Sequence, residues 1–160
     1  MTILRIEEMT YGVEDIIKCS EFLETWGLQK VSIKDNIALF KTYENQLIRL
    51  RFMNDSLLPL SYEEGPTMRE VIWGVDNQTT LDEIESELSK DREVKKDNDG
   101  KLHSYDDRQN YLGFQIANII QSEVSEGDYN FIESIDRLNE RSWPDDRVKP
   151  FRIGHLVYSI

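Results

Sequence analysis

The sequence predicts an α+β fold built from two βαβββ modules. Three observations predict it. A strand, a helix and three strands are expected in that order twice along the chain. The opening strands of the two runs match: Glu8-Met9-Thr10-Tyr11-Gly12-Val13-Glu14-Asp15 aligns with Glu70-Val71-Ile72-Trp73-Gly74-Val75-Asp76-Asn77, 62 residues later. Self-similarity at a fixed spacing marks a repeated supersecondary unit. Finally, 160 residues with 39% apolar content suffice for a core of ordinary domain size.

Ile3–Val13 is rich in β-branched, aromatic and aliphatic residues and reads as a strand. Glu14 and Asp15 then suit the positive end of a helix. Ile16, Cys19, Leu23 and Trp26 give that helix one apolar face, and Gly27 stops it. Strands are expected over Leu28–Ile33, Ile37–Tyr43 and Gln46–Met53, with turns at Asp35-Asn36 and Glu44-Asn45. A loop carrying Pro59, Gly65 and Pro66 precedes the strand Met68–Val75. Thr80-Leu81-Asp82-Glu83 reads as a capping box, opening a helix whose stripe is Leu81, Ile84 and Leu88. Weaker strands at Glu93–Lys96 and Lys101–Tyr105 flank a turn at Asp97–Gly100, and Tyr111–Asn118 closes the second run.

The modules therefore occupy residues 1–118, as about 1–58 and 66–118. Residues 119–150 form an acidic connector, with eight acids and three bases over Ile119–Arg147. Phe131, Ile135 and Leu138 recur at helical spacing inside it, so a short helix is expected around Tyr129–Asn139. A further strand is expected at 151–160, where Gly154-His155-Leu156-Val157-Tyr158 repeats the beat of the opening strands. His155 falls in the column of Glu8 and Glu70, and Tyr158 in that of Tyr11 and Trp73.

Composition excludes several functions. With 19 Lys+Arg against 31 Asp+Glu, the chain is a poor binder of nucleic acid or anionic membranes. No stretch reads as a transmembrane or secretory segment. Cys19 is the single cysteine, so no disulfide forms within the chain and a reducing cytoplasmic setting is expected. Only His103 and His155 supply imidazole, which rules out a three-histidine zinc site. Neither a nucleophile elbow nor a Gly-rich phosphate loop is present. His103 is expected on the surface or on an edge strand.

Paired modules with this first-strand pattern resemble the vicinal oxygen chelate superfamily, which includes glyoxalase I, bleomycin resistance proteins and extradiol dioxygenases. The resemblance spans residues 3–118. Asp106-Asp107-Arg108-Gln109-Asn110-Tyr111-Leu112-Gly113 looks like that family's approach to its last strand. It implies mixed sheets curled around a cleft, with metal ligands projecting from equivalent strand positions of the two modules. Phe151-Arg152-Ile153-Gly154-His155-Leu156-Val157-Tyr158 resembles the opening strand of the metal-binding domain of type I extradiol dioxygenases, where the histidine ligates iron. The chain thus looks like the N-terminal, non-metal half of such an enzyme, or a relative of it.

That resemblance implies Fe(II)- and O2-dependent cleavage of a catechol-type ring in a full-length enzyme. No cofactor is expected in this chain alone. His155 is a metal ligand only together with a further domain. Glu8 and Glu70 stand where histidines would bind metal, and Gly113 where the last strand would offer glutamate. Glu8 and Glu70 could form a carboxylate site, or pair with cations such as Arg49 or Arg69. The alternative reading is a metal-free small-molecule binder of the bleomycin-resistance type. A glyoxalase-like metal enzyme using both glutamates is the third. A small aromatic or other small-molecule ligand and a homo-oligomeric state are expected partners.

Overall fold

The computed structural model describes residues 2–61, 64–120 and 149–157. The helix expected around Tyr129–Asn139, and Tyr158, lie outside the described residues. The first module comprises β1 (Ile3–Val13), α1 (Ile16–Thr25), β2 (Gln29–Lys34), β3 (Ile37–Lys41) and β4 (Leu47–Phe52). The second comprises β5 (Thr67–Val75), α2 (Gln78–Leu88), β6 (Lys95–Lys96), β7 (Leu102–Tyr105) and β8 (Tyr111–Ile116).

All eight strands join in one mixed sheet, in the order β2-β3-β4-β1-β5-β8-β7-β6. Each module contributes one half. β1 runs parallel to β4, β5 runs parallel to β8, and β1 and β5 pair antiparallel at the centre. Glu8 faces Ile72 and Thr10 faces Glu70 across that seam. Glu8 and Glu70 are therefore related by a pseudo-twofold axis between the two strands.

Local chemistry fixes the turns. Asp35 and Asn36 both adopt positive φ, 51° and 61°, as the tight β2–β3 turn requires. Gly27 ends α1 at φ 100°, a conformation that costs glycine nothing. Asp15 caps α1 by accepting from the Lys18 N–H at 2.9 Å. Asn77 does the same for α2, accepting from the Thr80 N–H at 3.0 Å. This corrects the expected capping box. Thr80 is the third residue of the helix and only 4% exposed, while Asn77 is a stronger cap and adds a turn.

Both helices lie on the same face of the sheet. Met9, Val13, Phe40, Ile48 and Val71 pack under α1, and Val75, Leu102 and Phe114 under α2. Trp73 and Leu112 touch both clusters and make one continuous apolar layer. Burying each such side chain contributes about 1.5–3 kcal/mol. Ile6 and Met9 are three apart, yet both reach this core because the register shifts between Ile6 and Glu8. Trp26 departs from the expected buried stripe and is 57% exposed at the end of α1. No described helix is long and apolar enough to cross a membrane.

The strand expected at 151–160 does not appear among the described residues. Residues 149–157 join no strand and are instead tied to the β3–β4 turn. The Tyr43 and Glu44 N–H groups donate to the Pro150 and Phe151 carbonyls at 3.0 and 3.1 Å. The buried Gln46 amide receives the Ile153 N–H at 2.6 Å and donates to the Ile153 carbonyl at 3.2 Å. Tyr43 and Phe151 stack at 5.8 Å. One turn and one side-chain amide thus take the hydrogen bonds that a neighbouring strand would have supplied.

Candidate functional site

Strand alternation sends Glu8 and Thr10 of β1 to the helix-free face of the sheet, while Met9 and Tyr11 point toward the helices. The same rule places Arg49 of β4, Glu70 and Ile72 of β5 and His103 of β7 on the helix-free face. They line a shallow polar cleft of about 210 Å³, roofed in part by Leu57, Leu58 and Pro59. The cleft straddles the central seam, so each module contributes one glutamate.

Neither glutamate is free. Glu8 is 4% exposed; its carboxylate receives the Arg49 Nε–H at 2.6 Å and the Lys101 ammonium at 3.1 Å. Burial pushes its pKa up, but the Arg49 hydrogen bond and charge, followed by Lys101, outweigh burial and hold it below the usual value. Glu70 lies 2.7 Å from His103 Nδ1, and Asp97 lies 3.3 Å from His103 Nε2. Only the protonated imidazole donates to both carboxylates at once. Its pKa is accordingly raised, first by the Glu70 hydrogen bond, against the opposing effect of burial.

His103, expected on the surface or on an edge strand, is not on an edge: it sits on β7 between β6 and β8, its side chain 28% exposed in the cleft. Its signal was weak: alternation with the apolar Leu102 put it on a defined face, but only the register of β7 reveals which face. Glu7, next to Glu8 in sequence, is buried at the seam beside Gly74. Burial raises its carboxyl pKa despite the nearby Arg5 guanidinium and the Asn118 N–H.

The donor set does not fit the iron site that the resemblance implies for a full enzyme. That site needs two imidazoles and a carboxylate facing one metal. Among the described residues, no group of three or more His, Cys, Asp or Glu is placed to hold a metal ion. The last-strand position is closed as well as empty of carboxylate. A Cβ at Gly113 would stand 2.5 Å from the Leu102 carbonyl oxygen and 2.6 Å from Ile72 Cδ1. His155 is not brought to Glu8 and Glu70. It is exposed and lines an apolar pocket on the helix-bearing face, with Met9, Tyr11 and Ile48.

No protein-family model matches the chain, and no curated protein matches it in sequence. Solved structures do match in fold. The Mn(II)-bound glyoxalase from Novosphingobium aromaticivorans superposes with a TM-score of 0.54 at 16% identity, over 70% of this chain and 38% of that one. Homoprotocatechuate 2,3-dioxygenase from Brevibacterium fuscum gives 0.58 at 16% identity, over 71% and 36%. The 2,3-dioxygenase LapB from Pseudomonas sp. KL28 gives 0.60 at 12% identity, over 80% and 47%. The chain spans between about a third and a half of the length of these proteins. Its eight-stranded, two-module sheet has the fold of the glyoxalases and extradiol dioxygenases.

Proposed function

We propose that this chain is a metal-free module of the extradiol dioxygenase kind: the N-terminal half of a catechol-type ring-cleavage enzyme, or a relative of that half. Its role is scaffold rather than chemistry. The observation that carries this reading is the neutralised cleft. Glu8 is already satisfied by Arg49 and Lys101, and Glu70 by His103, at the strand positions where the fold would present metal ligands. A metal would have to displace partly buried ion pairs, leaving Arg49 and Lys101 facing an added positive charge.

The test is direct. Purified chain is incubated anaerobically with Fe(II), desalted and assayed for bound iron, then given catechol or dihydroxybiphenyl in air. The expected outcome is no retained stoichiometric iron and no yellow ring-cleavage product. Yellow product, or stoichiometric metal lost on Glu8→Gln or Glu70→Gln, would overturn the proposal and favour a carboxylate metal enzyme.

A metal-free small-molecule binder is the second reading. The open apolar pocket beside α1, on the face opposite the cleft, favours it.

A further inference from the structure

The pocket between α1, the sheet and residues 150–155 has a volume of about 730 Å³. That lies within the range of small-molecule sites, which are concave, largely apolar and carry a few placed polar groups. Its wall is Met9, Tyr11 and Ile48 from the sheet with Cys19, Leu23 and Phe22 from α1. Trp26 stands at its edge. Phe22 and Trp26 are 66% and 57% exposed, so two large aromatic side chains stand in water around an opening rather than closing it.

Charge at this opening runs against the net charge of the chain, which is -12. The chain carries 31 acids against 19 bases, yet among the described residues no Asp or Glu lines the pocket. Among the described residues its charged lining is Lys18 from α1 and Arg152 from the 150–155 segment, and His155 adds an imidazole. Ion pairs are common on this surface, as at Lys30–Glu24 and Arg51–Asp55, but among the described residues neither Lys18 nor Arg152 has a carboxylate partner. An apolar cavity with unpaired cations at its mouth matches a ligand with an apolar body and one anionic end.

We propose that this pocket binds a small amphipathic carboxylate, with its tail against Met9, Leu23 and Ile48 and its carboxylate between Lys18 and Arg152. The site is separate from the glutamate cleft, so it stands or falls independently of the ring-cleavage assay. Cys19, the single cysteine of the chain, lies in its wall and reports occupancy.

The test uses the full chain and three probes of one shape: decanoate, decanol and decylammonium, each below its micelle concentration. Calorimetric titration is expected to show saturable decanoate binding, weaker decanol binding and the weakest decylammonium binding. Each lost cation contact should cost about fivefold in affinity. Decanoate should also slow alkylation of Cys19 by N-ethylmaleimide. The double variant Lys18→Glu, Arg152→Glu changes two exposed residues, so it should keep its circular dichroism and unfolding midpoint while losing the preference for anion over cation. Absence of saturable decanoate binding, equal affinity for all three probes, or binding that leaves Cys19 unprotected would each overturn the proposal.

Discussion

At the scale of single residues, His103 shows how position in a sheet decides chemistry. Glu70 and Asp97 face its two ring nitrogens at 2.7 and 3.3 Å, so folding favours the imidazolium. The sign of the pH effect follows. A histidine whose pKa is raised on folding contributes stability that is fully present below its ordinary value of 6.5 and is lost as pH rises through the raised value. Urea midpoints measured from about pH 5 to about pH 8 should therefore fall with rising pH in the parent chain. In His103→Gln that part of the fall should vanish, leaving a flatter profile. Parallel profiles would show that the Glu70–His103–Asp97 contacts contribute nothing in solution. Reading the sequence could identify Glu70 by its repeat position, but not its partner. Thirty-three residues separate the two side chains, and only the pairing of β7 with β8, and β8 with β5, brings them together.

At the scale of elements, the two helix caps show which signal in a sequence to weigh most. A local motif places the start of α2 at Thr80, whereas the 62-residue repeat aligns Asp15 with Asn77, and both of these residues are caps. The repeat carries the correct answer because it reflects a whole module, while a capping box reflects four residues. Replacing either cap by alanine removes the acceptor for a first-turn N–H and should cost about 1 kcal/mol in denaturant unfolding. Asp15→Ala and Asn77→Ala should behave alike. A Thr80→Val substitution removes only the hydroxyl, and should leave the Asn77 cap intact. A larger loss from Thr80→Val than from Asn77→Ala would restore the capping box as the operative signal. The strand expected at 151–160 does not appear over the described residues 151–157, for a related reason. Its residue pattern suits a strand, but strand formation also needs a partner edge, and Gln46 and the β3–β4 turn occupy the backbone of this segment.

At the scale of the whole molecule, the central β1–β5 pair decides whether two modules behave as one body. The pairing extends from Ile3 opposite Val75 to Gly12 opposite Thr67, and the apolar layer runs across it through Trp73 and Leu112. Two halves of about 60 residues each would be marginal alone, because small domains bury too little surface to offset chain entropy. The sheet order also leaves each half with a bare strand at the seam if the partner is removed, β1 in one case and β5 in the other. Unfolding should therefore be a single cooperative transition, with loss of secondary structure by circular dichroism coinciding with the change in tryptophan fluorescence. Trp26 lies in the first module and Trp73 on the seam, so fluorescence reports on both regions. A truncation at Val71, to alanine, removes two methyl groups from a side chain that is 1% exposed at the seam and should lower the stability of both modules together by about 1–3 kcal/mol, without separating the transitions. Two resolved transitions, with only one shifted by Val71→Ala, would mean that the modules fold independently and that the seam is a contact between finished units.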